Sequence, residues 1–256
     1  MKKFIFSIAC MLMFITVFLP VSGSAMGLSV GASTWYTEWN DYEDGSKSSD
    51  IDSFFLYGPL LSLKLNNDFS LSTLFLYGKT EVTFPFDDEN LSPAYTLDST
   101  RIDSDTGISY RLNSVFKVVA GFKYMWYKTE GGVYASSVDV YDTETNFTTY
   151  GPAFGINGTF SLGNSFYLNA SISGMYLWWK TTTEAEGISL DDEKYNAVGI
   201  NTGLSLLYYI PAASVTLSLG GRYQIISDEI GEDGYLWDNR GEFYGITLSA
   251  IYSFQI

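Results

Sequence analysis

Acidic side chains supply most of the chemistry that this 256-residue chain can offer, because it has 29 Asp and Glu residues and no histidine. Two runs of three carboxylates stand out between apolar segments: Asp87, Asp88, Glu89 and Asp191, Asp192, Glu193. Oxygen ligands of this kind suit Ca²⁺ or Mg²⁺ and do not suit zinc. Neither run has the spacing of an EF-hand loop. A loosely held Ca²⁺ or Mg²⁺ is therefore one interpretation, and a solvated acidic loop is the simpler one.

Catalysis is a weaker interpretation of the same residues. The chain has no histidine, and its single cysteine, Cys10, lies in the N-terminal apolar segment. Nucleophiles paired with a histidine base are therefore unavailable. The adjacent acids Asp87-Asp88 and Asp191-Asp192 are the remaining candidates for a catalytic pair, but loop solvation is the preferred explanation for them. We predict that the protein is not an enzyme and has no cofactor beyond a loosely held divalent cation.

A second set of charges lies at alternate positions inside the apolar segments, on the face opposite the large apolar side chains. The set comprises Lys64, Asp103, Asp105, Arg111, Lys117, Lys123 and Arg222. Successive side chains of a β-strand point to opposite faces, so we expect these charges to share an interior. One interpretation is a cationic constriction that selects anions. The other is that they pair with acids and tyrosines to fill a narrow barrel. Bulky residues of the same parity favour filling: Tyr167, Met175, Leu177, Trp179 and Tyr209.

The segments that carry these charges repeat one pattern from Gly27 to the C-terminus. Apolar or aromatic residues alternate with small or polar ones over about ten residues, the length of a tilted strand that crosses a membrane. Very short turns alternate with long acidic segments; the short turns are Asn66-Asn67-Asp68, Asn113-Ser114, Gly163-Asn164 and Pro211-Ala212-Ala213. The pattern predicts an all-β, antiparallel, up-and-down transmembrane β-barrel of ten strands, with eight strands as the alternative.

Aromatic residues distinguish this barrel from a soluble β-sandwich. They gather at two heights: Phe69, Phe116, Phe160 and Phe166 lie beside short turns, whereas Tyr57, Tyr77, Trp126, Tyr150 and Trp178 lie toward the long segments. Two aromatic girdles are typical of a barrel at the membrane interfaces. The Gly and Ser residues of the opposite face would make a poor sandwich core but a reasonable barrel interior. We therefore expect the outer face to contact membrane lipids.

The N-terminus has the features of an export signal. Lys2 and Lys3 precede an apolar stretch from Phe4 to Val21, and small residues at 23–25 offer a cleavage site. We expect residues 1–25 to be a cleaved signal peptide and residues 26–256 to form a single barrel domain. The mature chain then contains no cysteine, which excludes disulfides and thiol chemistry.

Charge is strongly segregated along the mature chain. Without Lys2 and Lys3, the chain has 12 basic and 29 acidic residues, a net charge of −17. This charge argues against nucleic acid as a partner. Of the acids, 28 fall in the five long segments and the strand ends that bear them, and only Asp68 lies at a short turn. A charge on the lipid face costs about 2–4 kcal/mol at mid-depth. These acids are therefore expected beyond the hydrocarbon or inside the barrel.

The C-terminal residues point to a family. Tyr252, Phe254 and Ile256 alternate with Ser253 and Gln255, and this ending resembles the assembly signal of Gram-negative outer-membrane β-barrel proteins. It departs from the usual signal by ending on Ile and by lacking a glycine a few residues earlier. The resemblance implies an outer-membrane location and recognition of the last strand by the barrel assembly machinery. A ten-stranded count resembles the omptins and Opc-type adhesins in architecture only, since the omptin Asp–His pair has no counterpart here.

The long acidic segments direct the functional interpretation toward the cell surface. Short turns suffice to close a barrel, and long loops usually carry function. We expect a surface binding, adhesion or structural protein with an extracellular ligand that the sequence does not identify. A narrow channel for small solutes is the alternative, and an omptin-like hydrolase is a second alternative that the absence of histidine disfavours.

One short turn fixes a register. If 113–115 is a three-residue turn, Asp105 lies opposite Lys123 and Arg111 lies opposite Lys117, all on the interior face. The first pair is expected to be an ion pair. The second pair is like-charged, so we expect it to need an acid or a tyrosine from a neighbouring strand.

Protease added to intact cells is expected to cut only in the long segments, because these lie outside the membrane in this topology. Cleavage should occur within 41–52, 87–98 and 229–238, as mapped by mass spectrometry of the fragments. Sites near Asn67 and Asn164 should resist until the outer membrane is breached. Cleavage at those turns in unbroken cells would reverse the orientation.

Overall fold

The computed structural model describes residues 27–43, 45–84, 95–135, 139–185, 188–189, 193–228 and 239–255. The expected signal peptide, residues 1–25, lies outside these ranges. Within them the chain is almost entirely β-strand. No helix in these ranges is long and apolar enough to cross a membrane.

Ten long strands form the fold. They are β1 (Gly27–Glu43), β2 (Ser46–Lys64), β3 (Phe69–Phe84), β4 (Tyr95–Arg111), β5 (Phe116–Ala135), β6 (Asp139–Gly163), β7 (Phe166–Ala185), β8 (Glu193–Ile210), β9 (Val215–Asp228) and β10 (Arg240–Gln255). Each strand pairs antiparallel with its neighbours in the chain, and β1 also pairs with β10. The ribbon Ile188–Ser189 adds two further pairs to β7. The predicted closed, up-and-down, ten-stranded barrel is confirmed, and the eight-stranded alternative is wrong.

The seam between β1 and β10 shows how small residues close the barrel. Its register runs from Gly27 opposite Gln255 to Tyr42 opposite Arg240. A Cβ atom on Gly245 would lie 1.9 Å from the carbonyl oxygen of Tyr36, so only glycine allows the two backbones to approach this closely. Among the residues described, the ten long strands form a closed ladder with no unpaired strand in the membrane-spanning part, where a membrane would not tolerate an exposed sheet edge.

Asparagine side chains build two of the short turns in the same way. The Oδ1 atom of Asn66 accepts hydrogen bonds from the backbone N–H groups of Asp68 and Phe69, each 2.8 Å long. Asn113 Oδ1 accepts equivalent 2.8 Å bonds from Val115 and Phe116. Such Asx interactions stabilise a tight reversal without a long loop. They also set the register of the strands on either side.

The register predicted from the second of these turns is confirmed. Asp105 pairs with Lys123 and Arg111 pairs with Lys117. The predicted alternation also holds, because large apolar side chains at outward positions are exposed on every strand; they include Tyr36, Leu61, Phe69, Ile108, Phe122, Phe154, Ile172, Leu204, Leu219 and Ile246. A continuous apolar outer band of this kind is stable against lipid and not against water.

Several strands are much longer than the predicted membrane-crossing segments. β5 and β7 have 20 residues each and β6 has 25. The alternation of apolar and polar residues fades where a strand leaves the hydrocarbon, although its backbone pairing continues. Parts of the segments predicted as long loops are therefore strand extensions that project beyond the aromatic girdle on the loop side.

Candidate functional site

A cluster of mostly buried charges lies in the barrel interior at about mid-height. Strands β4, β5 and β9 bring together Arg101, Asp103, Asp105, Lys123 and Arg222. Lys123 Nζ is hydrogen-bonded to Asp103 and lies 3.1 Å from Asp105 Oδ1. Arg222 Nη2 donates to Asp105 Oδ2 at 2.8 Å. The expected ion pair between Asp105 and Lys123 is thus one contact of a larger network.

Asp103 is the centre of this network. One of its carboxylate oxygens accepts from Arg101 Nη2 at 2.9 Å, and the other bonds Lys123. Arg222 Nη2 lies 3.9 Å from the same carboxylate, on Oδ1. A carboxylate buried in the membrane-spanning part of a barrel is stable only with such charge partners.

Amide and aromatic groups hold the arginines in place. Arg222 donates to Asn201 Oδ1 and to Gln224 Oε1, each at 3.1 Å. Its guanidinium carbon lies 4.4 Å from the ring centre of Trp35, and the guanidinium of Arg101 lies 4.0 Å from that of Phe243. These cation–π contacts stabilise cations in a low-dielectric environment.

Arg101 is the member of the network that the sequence analysis missed. It has the same interior parity as Asp103 and Asp105 on one strand, so extending the alternation by two residues would have found it. Its Nε and Nη1 atoms are buried without a hydrogen-bond partner. With Arg101 included, three cations face two carboxylates, and the network carries an excess of one positive charge.

Large buried side chains fill the interior from the network toward the loop side. Fully buried members of this plug are Trp35, Leu56, Leu76, Met125, Leu177 and Ile226. On the loop side of these residues, aromatic rings contact one another, most of them between directly paired positions on neighbouring strands. Tyr127 stacks on Phe147 with ring centres 4.3 Å apart, and Trp179 stacks on Tyr195 at 5.4 Å. Trp39 lies against both Tyr127 and Phe243. We refer to these buried side chains and aromatic rings as the plug; the charge network borders it on the short-turn side.

A cavity lies on the short-turn side of the plug. It has a volume of about 210 Å³, and small or polar residues line much of it, including Ser72, Gly121, Asn157, Ser171 and Asn201. Asp105 also lines it and is 33% exposed. The interior therefore consists of a polar cavity on the short-turn side and a packed plug on the loop side, with the charge network between them.

The other predicted interior charges lie near the short turns and do not join the network. Lys64 and Arg111 are exposed, and Lys117 is partly exposed. The expected acid or tyrosine partner for the Arg111 and Lys117 pair is absent among the residues described, so that expectation was wrong. Solvent at the open end of the barrel screens these charges, which makes a protein partner unnecessary.

The bulky residues expected inside the barrel also separate by height. Met175 and Leu177 are buried in the plug, and Trp179 packs against it. Tyr167 and Tyr209, near the short turns, are only partly buried.

The proposed Ca²⁺ or Mg²⁺ ligands fall mostly outside the residues described. Asp87, Asp88, Glu89, Asp191 and Asp192 lie there, and Glu193 is an exposed residue at the start of β8. In the described ranges no three acidic side chains converge as a metal site would require. Metal binding by the two runs stays a prediction.

A row of carboxylates runs around the outside of the barrel beyond the aromatic girdle. Cross-strand pairing places Glu81, Asp98, Glu130, Glu144 and Glu184 directly opposite one another on β3 to β7. We call these five residues the acidic row. Directly opposed like charges destabilise a sheet. Such a row therefore needs either cations or an aqueous surface, and this one lies where the strands emerge from the hydrocarbon.

Lys128 neutralises the middle of the acidic row. Its Nζ is ion-paired with Glu130 and lies 2.8 Å from Glu144 Oε2. Hydrogen bonds to Glu130 and Glu144 raise the pKa of Lys128, and the bond from Lys128, with a second from Asn146, lowers the pKa of Glu144. Lys128 and Glu144 therefore remain charged at neutral pH, and the row presents a surface that is acidic overall.

Comparison with known proteins identifies the fold. No protein family model matches the chain, and no curated protein sequence matches it. Among solved structures, the outer membrane protease OmpT from Escherichia coli superposes with a TM-score of 0.54 at 13% identity, covering 93% of this chain and all of OmpT. The translocator domain of the autotransporter NalP from Neisseria meningitidis gives 0.53 at 14% identity, covering 95% of this chain and 94% of that domain.

These similarities establish that the chain has the fold of outer-membrane β-barrels. Together with the apolar outer band, the fold places the protein in an outer membrane. A protease and an autotransporter domain share it, so the fold does not determine an activity.

Replacing Asp103 with Asn should destabilise the barrel strongly, because Arg101, Lys123 and Arg222 would then share only Asp105. Removal of one partner of a buried ion pair typically costs about 3–5 kcal/mol. Urea unfolding in lipid vesicles would measure the loss. Asp105→Asn is the matched control and should cost clearly less, since Asp105 is partly exposed to the cavity. Equal losses in the two variants would contradict the central role of Asp103.

Proposed function

We propose that this outer-membrane barrel is a closed scaffold that acts through its extracellular surface as a binding, adhesion or structural protein. The observation that carries the proposal is the plug. Side chains with no solvent exposure, such as Trp35 and Leu56, lie in the interior together with the five charges of the network. A narrow barrel filled in this way offers no continuous path for solutes.

The loop side of the barrel supports the second part of the proposal. Strands β5, β6 and β7 extend well beyond the girdle and carry Glu130, Glu144 and Glu184 of the acidic row. An acidic, rigid sheet surface suits a partner with clustered positive charge, because complementary potentials steer association. Loosely bound Ca²⁺ or Mg²⁺ in the acidic loops is compatible with such a surface.

A narrow channel is the second candidate, and the polar cavity is the observation that favours it. The cavity, however, ends at the charge network. Asp105, Lys123 and Arg222 are bound to one another there and are not held apart as a ring that an ion could pass. Conduction would require these contacts to break.

Hydrolysis is not part of the proposal. The chain contains no histidine, so an Asp–His or Ser–His mechanism has no base. Asp103 and Asp105, the two carboxylates of the charge network, are bound to cations at the end of the cavity. Those contacts keep them from acting as a general acid and base pair.

Refolded protein reconstituted in planar bilayers should show no steady conductance, because the plug blocks the interior. A variant in which Trp35, Leu56 and Leu177 are all Ala should conduct, since it removes three fully buried plug side chains. The matched control replaces the outward residues Leu61, Leu204 and Leu219 with Ala and should stay closed. Single-channel recording separates these outcomes.

A stable conductance in the unaltered protein would contradict the proposal. If that conductance were also anion-selective and lost in Lys123→Gln or Arg222→Gln variants, the narrow channel would be the function instead.

A further inference from the structure

Buried hydrogen-bond donors without an acceptor gather where the charge network meets the plug. In the described part of the chain five buried side-chain atoms have no hydrogen-bond partner: Nε and Nη1 of Arg101, the indole nitrogens of Trp35 and Trp39, and the Thr149 hydroxyl. Guanidinium and indole nitrogens can only donate. Four of the five atoms therefore need an acceptor, and a buried donor without one is costly.

Arg101 and Trp35 bring their donors close to each other. The guanidinium carbon of Arg101 lies 5.6 Å from the ring centre of Trp35 and 4.0 Å from that of Phe243. Trp39 packs against the same Phe243 ring, with ring centres 5.2 Å apart. A hydrogen bond spans about 3 Å between heavy atoms, so these distances allow one acceptor to bond both Arg101 and Trp35.

The protein acceptors beside Arg101 are already engaged through its other nitrogen. Nη2 donates to Asp103 Oδ2 at 2.9 Å and to the sulfur of Met125 at 3.1 Å. The second oxygen of Asp103 accepts from Lys123. Asp105 is bound to Lys123 as well, on the side of the cavity. Among the residues described, none supplies an acceptor to Nε or Nη1 of Arg101.

The charge of the network shows the same deficit. Three cations face two carboxylates, and Arg101, only 2% exposed, lies on the side of the network that is away from the cavity. Arginine keeps its proton in proteins, and an uncompensated charge in a low-dielectric interior is unfavourable. A monovalent anion supplies both an acceptor for several N–H groups and the missing negative charge. Water supplies the acceptor alone and needs further polar partners for its own hydrogens.

We propose that Arg101 and Trp35 bind one chloride ion between the charge network and the plug. Phe243 and Met125 are almost fully buried and both contact the guanidinium, and such tight apolar packing favours a monatomic ion over a polyatomic one. Sulfate would also carry one charge more than the network lacks. The chloride ion stabilises the closed interior and is not in transit. This site does not rest on the proposed surface function.

Urea unfolding of the refolded protein in lipid vesicles tests the assignment. Chloride is raised while gluconate, a much larger anion, keeps the total concentration of the two anions constant. Each tenfold rise in chloride above the dissociation constant should lower the unfolding equilibrium constant about tenfold, as linkage requires for one bound ion.

Two variants remove parts of the site. Arg101→Gln removes the excess charge together with the unpaired guanidinium donors, so its stability should be equal in chloride and in gluconate. Trp35→Phe keeps an aromatic ring and removes only the indole N–H, and it should weaken chloride binding about tenfold, the loss expected for one hydrogen bond to a charged group. Trp178→Phe, at a girdle residue that is 42% exposed, and Lys117→Gln, near the short turns, are the matched controls and should keep the full response.

Two kinds of result would overturn the assignment. Equal stability of the unaltered protein in chloride and in gluconate would show that water, or loss of a proton from Lys123, meets the need instead. A chloride response that persists in Arg101→Gln, or that is lost in Lys117→Gln, would place the ion elsewhere in the barrel. Heat-dependent gel mobility checks that each variant folds. If Arg101→Gln does not fold, Trp35→Phe still decides, because it changes no charge, and an unaltered chloride response in it would overturn the assignment.

Discussion

The structure depends on one constraint, which is that hydrocarbon offers no hydrogen-bond partner to the backbone. A sheet in such a solvent must close on itself, and here β1 pairs with β10 to complete the ladder. Closure divides every strand into an outward and an inward face. Each charge must then lie inside the barrel or beyond the hydrocarbon, and both the interior network and the acidic row follow from this division.

Closure also creates the need for the plug. A ten-stranded barrel encloses too little space for a wide pore, yet it is too wide for glycine and serine to fill. The chain fills the loop side with aromatic and aliphatic side chains and leaves a polar cavity at the other end. Asp103 allows three cations to lie in this interior, because each of them lies within 4 Å of its carboxylate. The network is thus the boundary between the wet and dry halves.

The alternation of outward and inward side chains along each strand made much of the fold predictable from the sequence. The number of strands, the face on which each side chain lies and the short turns follow from this alternation and from turn chemistry. The pairing of Asp105 with Lys123 follows from the turn of one hairpin. The short-turn register also places Asp98 opposite Glu130. The complete acidic row did not follow, because Glu81 pairs with Asp98 and Glu130 pairs with Glu144 across long acidic segments, whose register the sequence does not determine. The strand extensions were missed since alternation ends with the hydrocarbon while backbone pairing does not. The bulge in β2, between Ile51 and Tyr57, was missed as well, because the sequence there gives no signal for it.

The central claim is that the interior is closed between its two ends. Accessibility of a cysteine placed at Ser171, which lines the cavity, tests it most directly, because protein refolded from residues 26–256 has no other cysteine. A small charged thiol reagent should modify this cysteine rapidly from the short-turn side of a sealed vesicle and not from the loop side. Modification at similar rates from both sides would show a continuous path through the barrel and would contradict the account.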